Sequence, residues 1–248
     1  MSETDGNVRA LIVQHEDSSP PGVLSEWLAD LGAAVDVFRI DLDDRDVDPR
    51  DYDLLVSLGS QYAAFDDWLP WIEREKRLFL DATEAEVPIL GLCFGGQLLA
   101  RILGGECYRG ELSEVGWLPV RSRNVELVPE GPWFQWHFDT FTLPRGAELV
   151  ADSDAGPQVF TIGRSLGVQF HPEVTPEIMD AWVKTYPHEL AEVGVDPDEL
   201  LEETNRMADA SRQIALQLFQ RFAEDVAGLP RRSPDACVGR VKARKTAS

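Results

Sequence analysis

Gly91-Leu92-Cys93-Phe94-Gly95-Gly96-Gln97 decides how this chain folds. Before it, Val87-Pro88-Ile89-Leu90 is a short apolar run with a β-branched bias. After it, Leu98-Leu99-Ala100-Arg101-Ile102-Leu103 repeats at helical spacing. The pattern is strand, sharp turn, helix, with Cys93 at the apex. Glycines flanking such an apex let strand and helix cross closely, while the apex residue takes a strained backbone conformation that presents its side chain. A thiol at a helix N-terminus also feels the positive end of the helix dipole, which favours the thiolate. Cysteine in an apolar turn is more often inert packing, so the elbow alone does not assign chemistry.

Its partners lie downstream in Gly167-Val168-Gln169-Phe170-His171-Pro172-Glu173. Leu166 to Phe170 reads as a strand, which puts His171 and Glu173 where that strand runs out. A thiol nucleophile needs a base to take its proton and an acid for the leaving amine, and imidazole does both near neutrality. The imidazole in turn needs a group to fix its tautomer and orientation. Glu173, two residues on and held by the stiff Pro172, is placed for that.

Gly91-x-Cys93-x-Gly95-x-Gln97 followed by Gln169-Phe170-His171-Pro172-Glu173 resembles the triad-type (class I) glutamine amidotransferases, in particular stand-alone relatives of the GMP synthetase glutaminase domain. The likeness runs from about Val8 to Trp182. It implies glutamine hydrolysis through a γ-glutamyl thioester, with ammonia released for an acceptor reaction elsewhere. By position, Cys93 would be the nucleophile, His171 the general acid and base, and Glu173 its orienter. Gln97 would help hold the glutamine. The turn Leu58-Gly59-Ser60-Gln61 after the strand Tyr52–Ser57 matches the family's oxyanion loop, which assigns that hole to the N–H groups of Gly59 and Phe94. Two departures stand out. Relatives often carry Gly-Gly-Pro where this chain has Leu58-Gly59-Ser60, and His-Gly-Asp where it has His137-Phe138-Asp139. Phe138 cannot replace glycine where the backbone must approach a ligand closely. Either the amino-acid end of the substrate is held differently, or the pocket takes something other than free glutamine. His137, between Trp136 and Phe138, reads as a structural histidine.

Elements alternate in the first half: strands Val8–Val13, Ala34–Phe38 and Leu54–Ser57, helices near Val23–Leu31 and Trp68–Thr83, then the elbow. That alternation, with the resemblance, predicts an α/β fold of the class I glutamine amidotransferase (flavodoxin-like) kind. Its sheet is mixed and mainly parallel, with helices on both faces and a nucleophile elbow. Short strands follow at Gly116–Val120, Val125–Val128, Ala147–Ala151, Val159–Ile162 and Leu166–Phe170, read as an antiparallel extension completing the sheet. Helices are expected at Glu177–Lys184, Tyr186–Val195 and Pro197–Val226. In the last of these Ile214, Leu218 and Phe222 recur every four residues and mark one buried face. Residues 1–228 are expected to form a single domain, with a helical C-terminal extension at about 185–228.

Net charge is −21, yet residues 229–248 carry Arg231, Arg232, Arg240, Lys242, Arg244 and Lys245 against Asp235. That tail has too little apolar surface to order itself. On so acidic a body it does not argue for nucleic acid. No apolar run reaches the roughly 18 residues of a membrane span, and the N-terminus lacks a signal-peptide pattern. Three cysteines, one needed as a thiolate, fit a reducing cytoplasm. Four histidines (His15, His137, His171, His188) and the cysteines show no metal-ligand spacing, and neither a phosphate loop nor a dinucleotide turn is present, so no cofactor is expected. Ammonia from glutamine would then go to a synthetase on a separate polypeptide, whose docking would complete the Leu58–Gln61 loop. A free-standing γ-glutamyl amide hydrolase using the same triad is the alternative, with a non-catalytic binding protein a third.

Overall fold

The computed structural model describes residues 8–229, so the basic tail beyond Leu229 lies outside the described residues. The chain runs β1 (Arg9–Gln14), α1 (Val23–Leu31), β2 (Ala34–Arg39), β3 (Leu54–Ser57), α2 (Pro70–Glu84), β4 (Ile89–Leu92) and α3 (Phe94–Ile102). Then come β5 (Cys107–Leu118), β6 (Arg121–Ser122), β7 (Trp133–Phe141), β8 (Glu148–Ser153), β9 (Gly156–Ile162) and β10 (Ser165–Val168). The helices α4 (Pro176–Thr185), α5 (Pro187–Val193) and α6 (Pro197–Arg221) close it. Proline opens α2, α4, α5 and α6 at the first helical position, where its missing N–H would have had no intrahelical partner.

Eight strands form one sheet in the order β2-β1-β3-β4-β10-β9-β8-β6. The first five are mutually parallel, and β9, β8 and β6 add on antiparallel. Alternate residues of the central strands part to opposite faces, as a two-residue period requires. Ala10, Ile12, Leu54, Val56 and Leu92 pack with α1 and α6, whereas Leu11, Val13, Leu55 and Ile89 pack with α2 and α3. The expected face is there: Leu218 of α6 and Phe222, in the π-helical turn that continues it, are fully buried and Ile214 packs at their edge. Each such side chain contributes about 1.5–3 kcal/mol, so α6 is part of the core.

Two expectations need correction. Val125–Val128 is not a strand. The Asn124 carbonyl accepts from the N–H groups of Leu127 and Val128 at 3.2 and 2.8 Å, and its side chain caps Leu127, so the segment coils into a turn that buries Leu127 and Val128. The apolar residues belong to the core without belonging to the sheet. Nor do all the later strands extend the sheet: β6, β8 and β9 do, but β5 and β7 pair into a separate antiparallel ribbon with a bulge between Arg109 and Glu114. Its β7 was not foreseen because Trp133-Phe134-Gln135-Trp136-His137 is buried on both faces and so shows no alternation. A third cluster, with Trp117, Phe134, Trp136, Met179 and Trp182, packs this ribbon against α4.

Candidate active site

Strand β4 ends at Leu92, α3 begins at Phe94, and Cys93 between them holds φ 49° and ψ −106°. A reversal this tight needs bare backbone around it. A Cβ on Gly91 would overlap Gly95, one on Gly95 would overlap the Ser57 carbonyl, and one on Gly96 would lie 2.6 Å from the Val168 carbonyl. The three glycines thus seat the start of α3 directly on β4, β3 and β10. The Cys93 N–H donates to the Val168 carbonyl at 2.8 Å, tying the apex to the strand that delivers its partner.

That partner stands just past the end of β10. His171 Nδ1 lies 2.7 Å from Glu173 Oε1, with both side chains buried, and the Cys93 sulfur is in hydrogen-bonding reach of the same imidazole. Burial alone would push His171 down; the negative charge of Glu173 and of Cys93 outweighs it and raises the imidazole to about 10. Trp182 meets the ring edge-on at 4.7 Å between centroids. Glu173 is held from behind: its carbonyl accepts from the Val23 N–H at 3.0 Å, and Gly22 packs so close that no side chain fits there.

Gly59 follows β3 and touches both partners. A Cβ there would come 2.9 Å from His171 Cε1 and 3.7 Å from Cys93 Cβ. No turn, loop or cap hydrogen bond among the described residues uses the N–H of Gly59 or of Phe94. Gln97, buried one turn into α3, donates from Nε2 to Gln169 Oε1 at 3.1 Å and to the Asp139 carbonyl at 3.3 Å. Gln169 in turn points its amide at Cys93 Sγ, 3.8 Å away.

Cys93, Phe94, Gln97 and His171 floor a cleft of about 710 Å³ counted to its open mouth. One wall comes from the loops after β1 and β3, with Glu16, Ser60, Gln61 and Tyr62; the other comes from Trp136, Phe138, Asp139, Trp182 and Tyr186. Phe138 sits at that wall with the Arg109 guanidinium 4.4 Å from its ring centre. His137 is structural in its bonding: Nε2 faces Glu114 at 3.0 Å and Nδ1 the Asp139 carbonyl at 3.1 Å. Among the described residues no group of three or more His, Cys, Asp or Glu side chains could hold a metal ion, and no helix is long and apolar enough to cross a membrane.

Residues 19–184 match the family model described as glutamine amidotransferase class-I. This chain belongs to the class-I glutamine amidotransferase family. The GMP synthase (glutamine-hydrolysing) of Thermus thermophilus is 35% identical over 170 residues, which are 61% of this chain and 31% of that one. Curated relatives of this kind are longer proteins; the chain spans 21 to 33% of the length of those from Paraburkholderia phymatum and Aquifex aeolicus. A glutamine amidotransferase from Thermotoga maritima superposes with a TM-score of 0.79 at 31% identity, covering 88% of this chain and 99% of that one. One from Methylobacillus flagellatus gives 0.81 at 28% identity, over 92% and 98%.

In this chain the structure brings together the candidate residues singled out in the sequence: Cys93, His171, Glu173, Gly59, Phe94, Gln97 and Phe138. It adds several that the sequence analysis missed. Gln169 was quoted in a motif without a role. Asp139 likewise was quoted in a motif without a role, while Glu16 and Trp182 reach the site from two further elements and nothing local in the sequence marks them. Burial raises the carboxyl of Asp139 despite the nearby Arg109.

Proposed function

We propose that Cys93, His171 and Glu173 hydrolyse the side-chain amide of glutamine and that the ammonia passes to an acceptor on a separate synthetase. The Cys93 sulfur attacks the amide carbon, and the oxygen takes up the negative charge opposite the N–H groups of Gly59 and Phe94. Preorganised donors of this kind are worth about 3–4 kcal/mol each. His171 protonates the leaving nitrogen, the C–N bond breaks, ammonia departs, and a γ-glutamyl thioester remains. His171 then takes a proton from water, whose oxygen attacks the thioester and releases glutamate and the thiol. Glu173 holds the imidazole with Nδ1 occupied, so that Nε2 faces the sulfur. The observation that carries the reading is the strained apex of Cys93 beside a buried His–Glu pair. The same reading treats residues 1–228 as one domain working in the cytoplasm without a cofactor.

A second reading rests on Phe138. A bulky ring on the pocket wall, where relatives often have glycine, suits a larger γ-glutamyl amide hydrolysed with no synthetase. One set of measurements separates the two. A diazo-ketone analogue of glutamine is expected to add a single covalent mass at Cys93. Cys107 should stay unmodified, because burial pushes its thiol up to about 12. Labelling elsewhere with Cys93 untouched would end the assignment. On the isolated chain, kcat/KM for glutamine is then compared with that for bulkier γ-glutamyl amides. Slow glutamine turnover with no better substrate fits the synthetase-linked reading; fast turnover of a bulky amide fits the hydrolase.

A further inference from the structure

A second buried His–Glu pair lies behind the loop that carries Gly59. His15 Nε2 is 2.8 Å from Glu75 Oε2, and both side chains are fully buried. His15 Nδ1 is 3.1 Å from the Gly59 carbonyl, and the Ser57 hydroxyl donates to Glu75 Oε1 at 2.6 Å. Glu75 occupies the buried face of α2 among Trp71, Ile72, Leu78 and Phe79, a face otherwise given to apolar residues. A buried ion pair is weak as a source of stability, so packing does not account for it.

The bonding fixes where the protons sit. Nδ1 faces a carbonyl, which only accepts, so Nδ1 carries a hydrogen. Nε2 faces a carboxyl group whose other oxygen accepts from Ser57, and one more proton closes that bond from either side. Burial works against a charge on His15, but Glu75, the Gly59 carbonyl and Glu16 together raise its affinity for the proton. Trp71 and Phe94 pack against the ring and bring no charge of their own.

The rest of the loop is fastened as well. The Leu58 N–H donates to the Val13 carbonyl at 3.1 Å, and the Leu58 carbonyl accepts from Gly95 at 3.3 Å. Across a trans peptide the Gly59 N–H therefore points away from Gly95. One step on, Glu16 accepts from the Gln61 backbone at 3.0 Å and from its side chain at 2.9 Å. Of these ties, the one that fixes the Gly59 carbonyl is His15.

We propose that His15 and Glu75 are positioning residues for the oxyanion site: they hold the Gly59 turn in place from within the subunit. This rests on the reading of Gly59 as an oxyanion donor. Neither side chain touches the substrate; both act through the backbone of the loop.

The test uses the full chain, with glutamine and γ-glutamyl p-nitroanilide as substrates and iodoacetamide as a probe of Cys93. Alkylation by iodoacetamide displaces iodide and builds no oxyanion, so it reads the thiol without the loop. In His15→Leu, kcat is expected to fall about 100-fold, the loss typical of one oxyanion donor, with KM and the alkylation rate little changed. His15→Asn, whose amide can donate from close to the Nδ1 position, should recover part of the loss. Unchanged kcat in His15→Leu, or a parallel loss of alkylation, would overturn the proposal. If His15→Leu does not fold, Glu75→Gln is read by the same two measurements. Failure of the parent reading looks different: Cys93→Ala would retain hydrolysis, or the wild-type chain would hydrolyse neither substrate, and the positioning role would fall with it.

Discussion

Cys93 sits in a backbone conformation that costs a non-glycine residue about 1–3 kcal/mol, and its setting makes His171 the group most sensitive to it. Part of what raises the imidazole is the charge on the sulfur, so removing the sulfur should lower the imidazole. Titration of the imidazole C–H resonances is expected to centre near 10 in the wild type and distinctly lower in Cys93→Ala; identical titrations would show that the two groups are not coupled. The sign for stability follows. A raised folded value means that the charge on His171 supports the native state fully below its ordinary 6.5, and that this support is lost as pH rises through about 10. The triad was legible in the sequence because its members lie in two short motifs whose chemistry is local. His15 and Glu75 were not, because their meaning lies in a contact between residues 60 positions apart. In the sequence Glu75 is one more acid in a charged helix.

At the scale of elements, the junction of β3, β4 and α3 is set by absent side chains. Gly95→Ala illustrates the balance. Alanine in a helix gains up to about 1 kcal/mol over glycine, but the new methyl would overlap the Ser57 carbonyl on a central strand that has no room to move. Overpacking of this kind costs about 1–3 kcal/mol, and with backbone as the obstacle the upper end applies. Denaturant unfolding should show a net loss of about 1–2 kcal/mol, and a midpoint at or above wild type would refute the packing argument. The parallel half of the sheet was readable from its alternation of strands and helices. Strand β7 was not, since a strand buried on both faces loses the two-residue period that identifies strands. The turn at Val125–Val128 misled for the complementary reason: apolar residues enter the core there through an asparagine-capped coil.

Across the whole molecule, the site collects at the C-terminal ends of β1, β3, β4 and β10, where open α/β sheets bind their ligands. This much followed from the alternation pattern and the resemblance. The sheet order did not, because β5 to β9 intervene in sequence between β4 and β10 while the two strands are hydrogen-bonded neighbours, Leu92 opposite Val168. Sequence order and spatial order therefore disagree at the place where Cys93 meets His171, and the disagreement has a consequence in time. A chain emerging from the ribosome exposes Cys93 long before His171 exists, and β10 can pair with β4 only after β5 to β9 have been made. Pairings so distant in sequence close slowly. During refolding, helical signal is expected to return before hydrolytic activity, and in the interval short pulses of iodoacetamide should alkylate Cys93 in chains that have no activity yet. Simultaneous recovery of both would mean that the sheet closes in one step. Until β10 arrives, the young chain carries an unguarded thiol.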